Sequence, residues 1–163
     1  MRVQKITYPD VNNGLGCRVT LWVSGCKQHC KGCHNKGLWS FLAGKLFDDN
    51  YKSELFKILR LPYIKGLTLS GGDPIDNVND VTTLVEEVRK EFGDSKDIWL
   101  YTGHRIEEFD SDSKGMYLIS LCDIVVDGPF IEELKDLTLP FRGSSNQRII
   151  NVKEYLKSHA VGV

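Results

Sequence analysis

The chain has 163 residues, of which 41% are hydrophobic and 26% are charged, and these proportions are ordinary for one globular domain spanning residues 1–163. The formal net charge of −1 argues against a general nucleic-acid or membrane-surface binder, which is usually basic. Residues 1–8 lack the apolar run of a signal peptide, and no stretch reaches the length of a membrane span, so we expect a cytoplasmic protein.

The first clear strand is predicted over residues 18–23, and it leads directly into a loop that carries Cys26, Cys30 and Cys33. On one continuous helix the first and third of these cysteines would lie about 10 Å apart along the axis, too far for one compact metal centre. The segment is therefore predicted to curl, with glycines before and inside it supplying backbone freedom. Three thiolates without an evident fourth ligand indicate a centre with one open position, as in catalytic metal sites.

Other uses of these cysteines remain open at this point. A structural zinc site could take His29, His34 or Cys17 as its fourth ligand. The Cys-x2-Cys-His pattern that begins at Cys30 is typical of c-type haem attachment, but it requires an exported protein. A thioredoxin-like pair at Cys30 and Cys33 leaves the first cysteine unexplained. Bacterial ferredoxins use a fourth cysteine followed by proline, which this loop lacks.

The chain contains five cysteines, an odd number, and three of them are clustered in the loop. This arrangement argues against a framework of disulfides. Cys17 and Cys122 are expected to be small buried apolar residues.

The rest of the chain alternates predicted strands with amphipathic helices. Helices are predicted over residues 51–61 and 79–92, and strands over residues 66–70, 97–101, 122–127 and 147–150. This order predicts an α/β fold with βαβ units around a parallel sheet. A complete eight-unit barrel needs about 250 residues, so we expect only a partial, open (β/α) barrel with about five or six mostly parallel strands.

Polar and glycine residues follow several of the predicted strands. Gly71 and Gly72 allow a ligand to approach the backbone closely, and Asp73 adds a carboxylate suited to an ammonium group or a ribose hydroxyl. Asp127 is the last residue of a later predicted strand. Each of these is, alone, typical of a simple turn. Because active sites of parallel α/β folds lie at the carboxyl ends of strands, their coincidence with the cysteine loop favours a functional site.

Taken together, these residues resemble the radical S-adenosylmethionine superfamily, in which three cysteines of a Cys-x3-Cys-x2-Cys loop bind a 4Fe-4S cluster. Residues 69–74 resemble the Gly-Gly-Glu strand end of that superfamily, with aspartate in place of glutamate. Within the superfamily the chain resembles the activating proteins of anaerobic ribonucleoside-triphosphate reductases, on the segments 30–35, 97–103, 126–128 and 142–148. The resemblance runs from about residue 8 to residue 150.

The resemblance implies a set of site residues. The cluster ligands are then Cys26, Cys30 and Cys33, and S-adenosylmethionine binds the fourth iron. The implied contacts to S-adenosylmethionine are Gly32, Cys33 and His34, with Gly71, Gly72 and Asp73 at its methionine end and Asp127 reaching the amino group, the ribose or a bound cation. His34 departs from the aromatic residue common at its position and would stack on the adenine ring over a smaller area. Leu15 replaces a proline usual in relatives, a turn variant that does not affect the implied chemistry. No conventional acid–base pair is implied.

The implied reaction begins when an electron donor such as a flavodoxin reduces the cluster. Cleavage of S-adenosylmethionine then gives methionine and a 5′-deoxyadenosyl radical, which removes a hydrogen atom from a glycine of the large catalytic subunit of the reductase. The residues expected to dock that subunit are Arg142, Asn146 and Arg148. Two alternatives are an activator of a different glycyl-radical enzyme and a non-enzymatic zinc-binding interaction module.

Overall fold

The structure is a computed structural model that describes residues 1–160. Its strands are β1 (Arg2–Asp10), β2 (Arg18–Val23), β3 (Lys45–Leu46), β4 (Gly66–Gly71), β5 (Asp97–Tyr101), β6 (Ile124–Asp127) and β7 (Arg148–Asn151). The α-helices are α1 (Asp49–Leu59), α2 (Val78–Phe92), α3 (Lys114–Ser120) and α4 (Val152–His159). Short 3₁₀ turns, such as Pro74–Asn77 after β4 and Ile106–Glu108 after β5, fill several of the connections.

All seven strands form one open sheet in the order β3-β1-β2-β4-β5-β6-β7. The four strands β2, β4, β5 and β6 are neighbours and run parallel, and one helix lies in each crossover between them. β1 pairs antiparallel with both β2 and β3, and β7 pairs antiparallel with β6. The α/β prediction is thus confirmed, with parallel pairing confined to the centre of the sheet.

Apolar side chains from alternate strand positions and from the helices share one buried core. In α2 the buried residues Val81, Leu84, Val85 and Val88 recur at the spacing of a single helix face. They join the strand and helix residues Val19, Leu21, Leu55, Leu59, Leu67, Leu69, Ile98 and Leu100 in the same cluster. Burying each such side chain stabilises the fold by about 1.5–3 kcal/mol. This layer therefore holds the strands, and with them the strand ends, in place. Among residues 1–160, no helix is both long and apolar enough to cross a membrane.

The opposite face of the sheet is polar at its amino-terminal end. Arg18 is fully buried there, forms an ion pair of 2.6 Å with Asp97, and donates from Nε to Thr68 Oγ1 at 2.8 Å. Its guanidinium also lies 5.5 Å from the ring of Trp99. This network covers that face of the sheet at the amino-terminal ends of β2, β4 and β5.

The expected count of five or six mostly parallel strands is wrong, because the sheet has seven and half of its neighbouring pairs are antiparallel. β1 was missed because its burial does not alternate regularly, and β3 because it has only two residues, both exposed. The predicted strands 18–23 and 97–101 are confirmed at both ends. α1 begins two residues earlier than predicted, since Asp48 caps it by accepting from the Tyr51 amide. Cys122 is buried as expected, whereas Cys17 is only partly buried beside the core.

Candidate functional site

The cysteine loop is held against the segment that follows it. The amide of Gly25 donates to the carbonyl of Leu38 at 2.8 Å, and the amide of Cys26 donates to the carbonyl of Trp39 at 3.0 Å. Gly25 has φ of +103°, and a Cβ there would stand 2.2 Å from the ring of Phe41. The loop therefore requires glycine at this point, both for its backbone conformation and for space.

The three cysteines are half-buried and line one cleft. Within residues 1–160, the one group of three potential ligand atoms lying within 4.8 Å of one another belongs to Cys26, Asp73 and Asp76. The sulfurs of Cys26, Cys30 and Cys33 are not such a group, although zinc–sulfur bonds of about 2.3 Å would bring them within about 4 Å of one another. Three cysteine sulfurs lining one cleft are donors of the kind that hold iron–sulfur clusters.

The histidines proposed as a fourth zinc ligand make other contacts. His29 stacks on Trp39 with ring centroids 4.4 Å apart, and His34 packs at a tilt against Phe130 with centroids 5.8 Å apart. Burial, together with the nearby charges of Asp73 and Asp76, raises the pKa of the Cys26 thiol to about 11, against the opposing effect of hydrogen bonds from the backbone of Gln28 and His29. Metal binding must therefore displace a proton from this sulfur.

The cleft has a volume of about 200 Å³ and lies at the carboxyl ends of the parallel strands. Besides the cysteines it is lined by Ser70–Asp73 after β4, Tyr101–Gly103 after β5, Gly128 after β6, and His34, Asn35, Phe130, Arg142, Gly143 and Gln147 from the loops. The cleft-lining residues therefore meet at the carboxyl ends of the parallel strands, which is the sheet edge that the sequence predicted.

The two glycines after β4 pack against the cysteine loop. The amide of Gly72 donates to the carbonyl of Val23 at 2.7 Å, and the amide of Asp73 donates to that of Gly25 at 2.8 Å. Gly71 has φ of +120°, and a Cβ at Gly72 would stand 2.5 Å from the Gly25 carbonyl oxygen. The close backbone approach predicted for this turn is therefore at least partly an approach to the loop itself.

Asp73 is fully buried and connects the ends of two strands. One carboxylate oxygen accepts from the amide of Ile75 at 3.0 Å. The other accepts from the amide of Gly103 at 2.8 Å and the hydroxyl of Thr102 at 3.0 Å. Burial raises its pKa to about 6, against the opposing effect of these hydrogen bonds. It lines the cleft, and its contact with a bound ligand stays a prediction.

Gly32 and His34 flank the last cysteine. His34 lines the cleft beside Cys33, whereas Gly32 does not. Gly32 has φ of +76°, and a Cβ there would stand 3.0 Å from the carboxyl group of Glu132. Glycine at this position therefore lets the loop turn beneath the segment that carries Glu132.

A family model described as a 4Fe-4S single cluster domain matches residues 12–150 of the chain. The anaerobic ribonucleoside-triphosphate reductase-activating protein of Haemophilus influenzae is 47% identical over 151 residues, covering 90% of this chain and 96% of that protein. The proteins of the same name from Escherichia coli K12 and Enterobacteria phage T4 are 40% and 42% identical, covering 90% and 87% of this chain and 96% and 89% of their own.

The chain belongs to this family of activating proteins. The resemblance read from the motifs is thereby confirmed. The family model also supports a single 4Fe-4S cluster as the cofactor.

Asp127 does not line the cleft in this family member. Its fully buried carboxylate accepts from the amide of Ile106 at 2.9 Å and from Nε of Arg148 at 2.9 Å. Arg148 also donates to both carboxylate oxygens of Glu107, at 2.7 and 3.0 Å. The hydrogen bonds to Asp127, then those to Glu107, raise the pKa of Arg148. Gly128, the next residue, is the one that borders the cleft.

The loop expected to dock a partner is tied together internally. Arg142 donates to the carbonyl of Gln147 at 2.8 Å and lines the cleft. Asn146 donates to the carbonyl of Pro129 at 2.7 Å and accepts from the hydroxyl of Ser144 at 2.6 Å. Arg142, Asn146 and Arg148 thus have structural partners within the chain, and their docking role stays a prediction.

Sequence reasoning missed three polar residues beside the cysteines. The side-chain amide of Asn35 donates to the carbonyl of Gly71 at 3.3 Å, and the backbone amide nitrogen of Asn35 lies 3.3 Å from the sulfur of Cys33. Asp76 and His104 contact the loop between the first two cysteines. His104 stands three residues after the end of the predicted strand 97–101, and this position near a strand end could have identified it.

Proposed function

We propose that this chain activates an anaerobic ribonucleoside-triphosphate reductase by reductive cleavage of S-adenosylmethionine at a 4Fe-4S cluster bound by Cys26, Cys30 and Cys33. The observation that carries this proposal is one cleft that contains these cysteines together with the ends of three parallel strands. When bound, the cluster and S-adenosylmethionine supply one-electron cleavage of a sulfonium bond and then removal of a hydrogen atom from a glycine of the reductase.

The chain itself provides ligands, orientation and enclosure. Cys26, Cys30 and Cys33 would hold three irons of the cluster, and the iron without a protein ligand would be able to bind the amino and carboxylate groups of S-adenosylmethionine. Cys33, His34, Gly71, Gly72 and Asp73 all line the cleft, which supports their assignment as contacts to that ligand. The backbone of the two glycines borders the cleft, with the Gly72 amide donating to Val23 and the Gly71 carbonyl accepting from Asn35.

Gly32 and Asp127 have supporting roles in this proposal. Gly32 allows the tight turn that aims Cys33, and Asp127 anchors the segment beside Gly128 through Arg148. Direct contact with the ligand would require a shift of the loop that carries Gly32 and of the end of β6 that carries Asp127.

In the proposed mechanism residues 1–163 act as one domain, and the open sheet is a partial (β/α) barrel of the radical S-adenosylmethionine type. An incomplete barrel leaves a side opening through which a glycine-bearing segment of the reductase could reach the cleft. The large catalytic subunit is the proposed protein substrate, docked beside Arg142, Asn146 and Arg148. A small reductant of the cytoplasm, such as a flavodoxin, delivers the electron.

Anaerobic purification with metal analysis and EPR spectroscopy tests the proposal. Brown protein with about four irons and four sulfides, cleavage of S-adenosylmethionine on reduction, and a glycyl-radical signal on the reductase are the expected results. Colourless protein with one zinc would establish the interaction-module alternative instead. Cleavage without a radical on this reductase would indicate a different glycyl-radical enzyme as the substrate.

A further inference from the structure

A short chain of hydrogen bonds connects the end of β5 to the backbone of the cysteine loop. The amide of Lys27, directly after Cys26, donates to one oxygen of Asp76 at 2.8 Å. The other oxygen of Asp76 lies 3.0 Å from Nε2 of His104. The side chain of Asp76 is only 5% exposed, so competition from water for these bonds is limited.

The second ring nitrogen of His104 faces the same loop. Its Nδ1 lies 3.1 Å from a carboxylate oxygen of Glu108 and 3.2 Å from the terminal amide of Gln28. Gln28 also lies across Gly103, where a Cβ would stand 2.7 Å from its Cγ atom. One imidazole therefore contacts Gln28 directly and reaches Lys27 through Asp76.

The protonation of His104 follows from its neighbours. A carboxylate at each ring nitrogen makes both nitrogens donors, so the ring is an imidazolium. Nδ1 then donates to Glu108, and its 3.2 Å approach to the amide nitrogen of Gln28, which is also a donor, is a packing contact and not a hydrogen bond. The hydrogen bond to Asp76 is the main cause that raises its pKa to about 9, and the charge of Asp73 and the hydrogen bond to Glu108 add to this effect. A fixed positive charge is thus held beside the segment that joins Cys26 to Cys30.

We propose that His104 is a positioning residue for the cysteine loop: through its bond to Asp76, and by packing against Gln28, it fixes the backbone between Cys26 and Cys30 and so places their sulfurs for the cluster. The inference rests on the proposed function in taking these sulfurs as cluster ligands. Without the His104 link, the loop would have to be ordered during cluster assembly. No other role of His104 in the proposed reaction is required.

Hydrogen exchange of the metal-free protein tests the link without any cofactor. In His104→Ala, exchange of the Lys27 amide should be roughly 10- to 100-fold faster, the range expected for losing a hydrogen bond to a charged group. Amides of the central strands, such as Leu69 and Leu100, should keep their protection. Glu108→Gln is the matched control, because it changes a partner of Nδ1 and leaves the bond to Asp76 intact, so Lys27 should stay protected.

A second measurement concerns the reconstituted protein. Loss of the imidazolium charge should lower the reduction potential of the cluster and alter the EPR spectrum of its reduced form. Unchanged Lys27 exchange in His104→Ala would overturn the proposal, as would equal acceleration in that variant and in Glu108→Gln. If wild type binds no 4Fe-4S cluster, the proposed function fails, while the exchange experiment still decides whether His104 holds the loop.

Discussion

Gly72 lies directly against Gly25, since a Cβ at Gly72 would stand 2.5 Å from the Gly25 carbonyl oxygen and 2.9 Å from that of Leu38. The strand-end turn after β4 and the cysteine loop after β2 are therefore one packed unit. A side chain at Gly72 displaces the cysteine loop before it reaches any ligand in the cleft.

This contact determines what Gly72→Val should do. The branched side chain is expected to weaken binding of S-adenosylmethionine and also to reduce the iron content, because it pushes against the backbone that carries Cys26. If the turn approached only the ligand, binding would instead be lost with normal iron content. Iron analysis and titration of S-adenosylmethionine followed by EPR distinguish the two. Normal iron content in Gly72→Val would show that the loop yields without losing the cluster.

The three cysteines should not be replaceable one at a time. Cys26→Ala, Cys30→Ala and Cys33→Ala are each expected to abolish cluster-dependent cleavage of S-adenosylmethionine, because three ligands leave no redundancy. Cys17→Ala and Cys122→Ala are matched controls that should retain the cluster, since both residues pack with the apolar core. Iron, sulfide and cleavage assays on all five variants would check this. Full iron content with normal cleavage in any loop variant would remove that cysteine from the ligand set.

The sequence predicted the central parallel strands of the sheet well and its outer strands poorly. The strands 18–23 and 97–101 were correct because their apolar runs have clear ends, and the motif positions at strand ends then followed from parallel topology. β3 gave no signal because both of its residues are exposed. The hydrogen bond between Asp127 and Arg148 could not be predicted from the sequence either, because it joins residues 21 positions apart and depends on the pairing of β6 with β7.

Arg148→Ala should lower the stability of the fold, and its effect should not be limited to docking of the reductase. It removes the side chain that donates to the fully buried carboxylate of Asp127, and leaving a buried charge unpaired costs on the order of 3 kcal/mol. Urea unfolding monitored by circular dichroism measures this loss. Glu107→Gln is the control, since Glu107 is an exposed partner of Arg148 and should cost less than about 1 kcal/mol. Similar stability of Arg148→Ala and wild type would leave the arginine available for a partner.

Stability of the metal-free protein should depend on pH through His104. The pKa of this histidine is raised from 6.5 to about 9 in the folded protein, so its contribution is complete below about pH 6.5 and is lost as the pH rises through about 9. Urea unfolding of wild type and His104→Gln across this window isolates the effect, because both proteins carry the same cysteines. The difference between them should shrink by up to about 3 kcal/mol toward high pH. A constant difference would show that folding does not shift the pKa of this histidine.

Arg142 offers a way to separate formation of the radical from its delivery. Its guanidinium donates to the carbonyl of Gln147 and lies at the edge of the cleft. If it also docks the reductase, Arg142→Ala should assemble the cluster and cleave S-adenosylmethionine nearly as wild type does when no reductase is present. The yield of glycyl radical should fall, because hydrogen transfer requires the target glycine to be held within a few ångströms of the reacting atom.

Cleavage and radical yield should be measured side by side on one preparation of Arg142→Ala. Arg142→Lys is the informative companion, since it keeps the charge but loses the planar fork that binds a carboxylate or backbone carbonyls at two points. A yield between those of wild type and the alanine variant is expected for it. Equal loss of cleavage and radical yield in Arg142→Ala would mean that the arginine supports the cleft through Gln147. An unchanged radical yield would remove it from the docking surface.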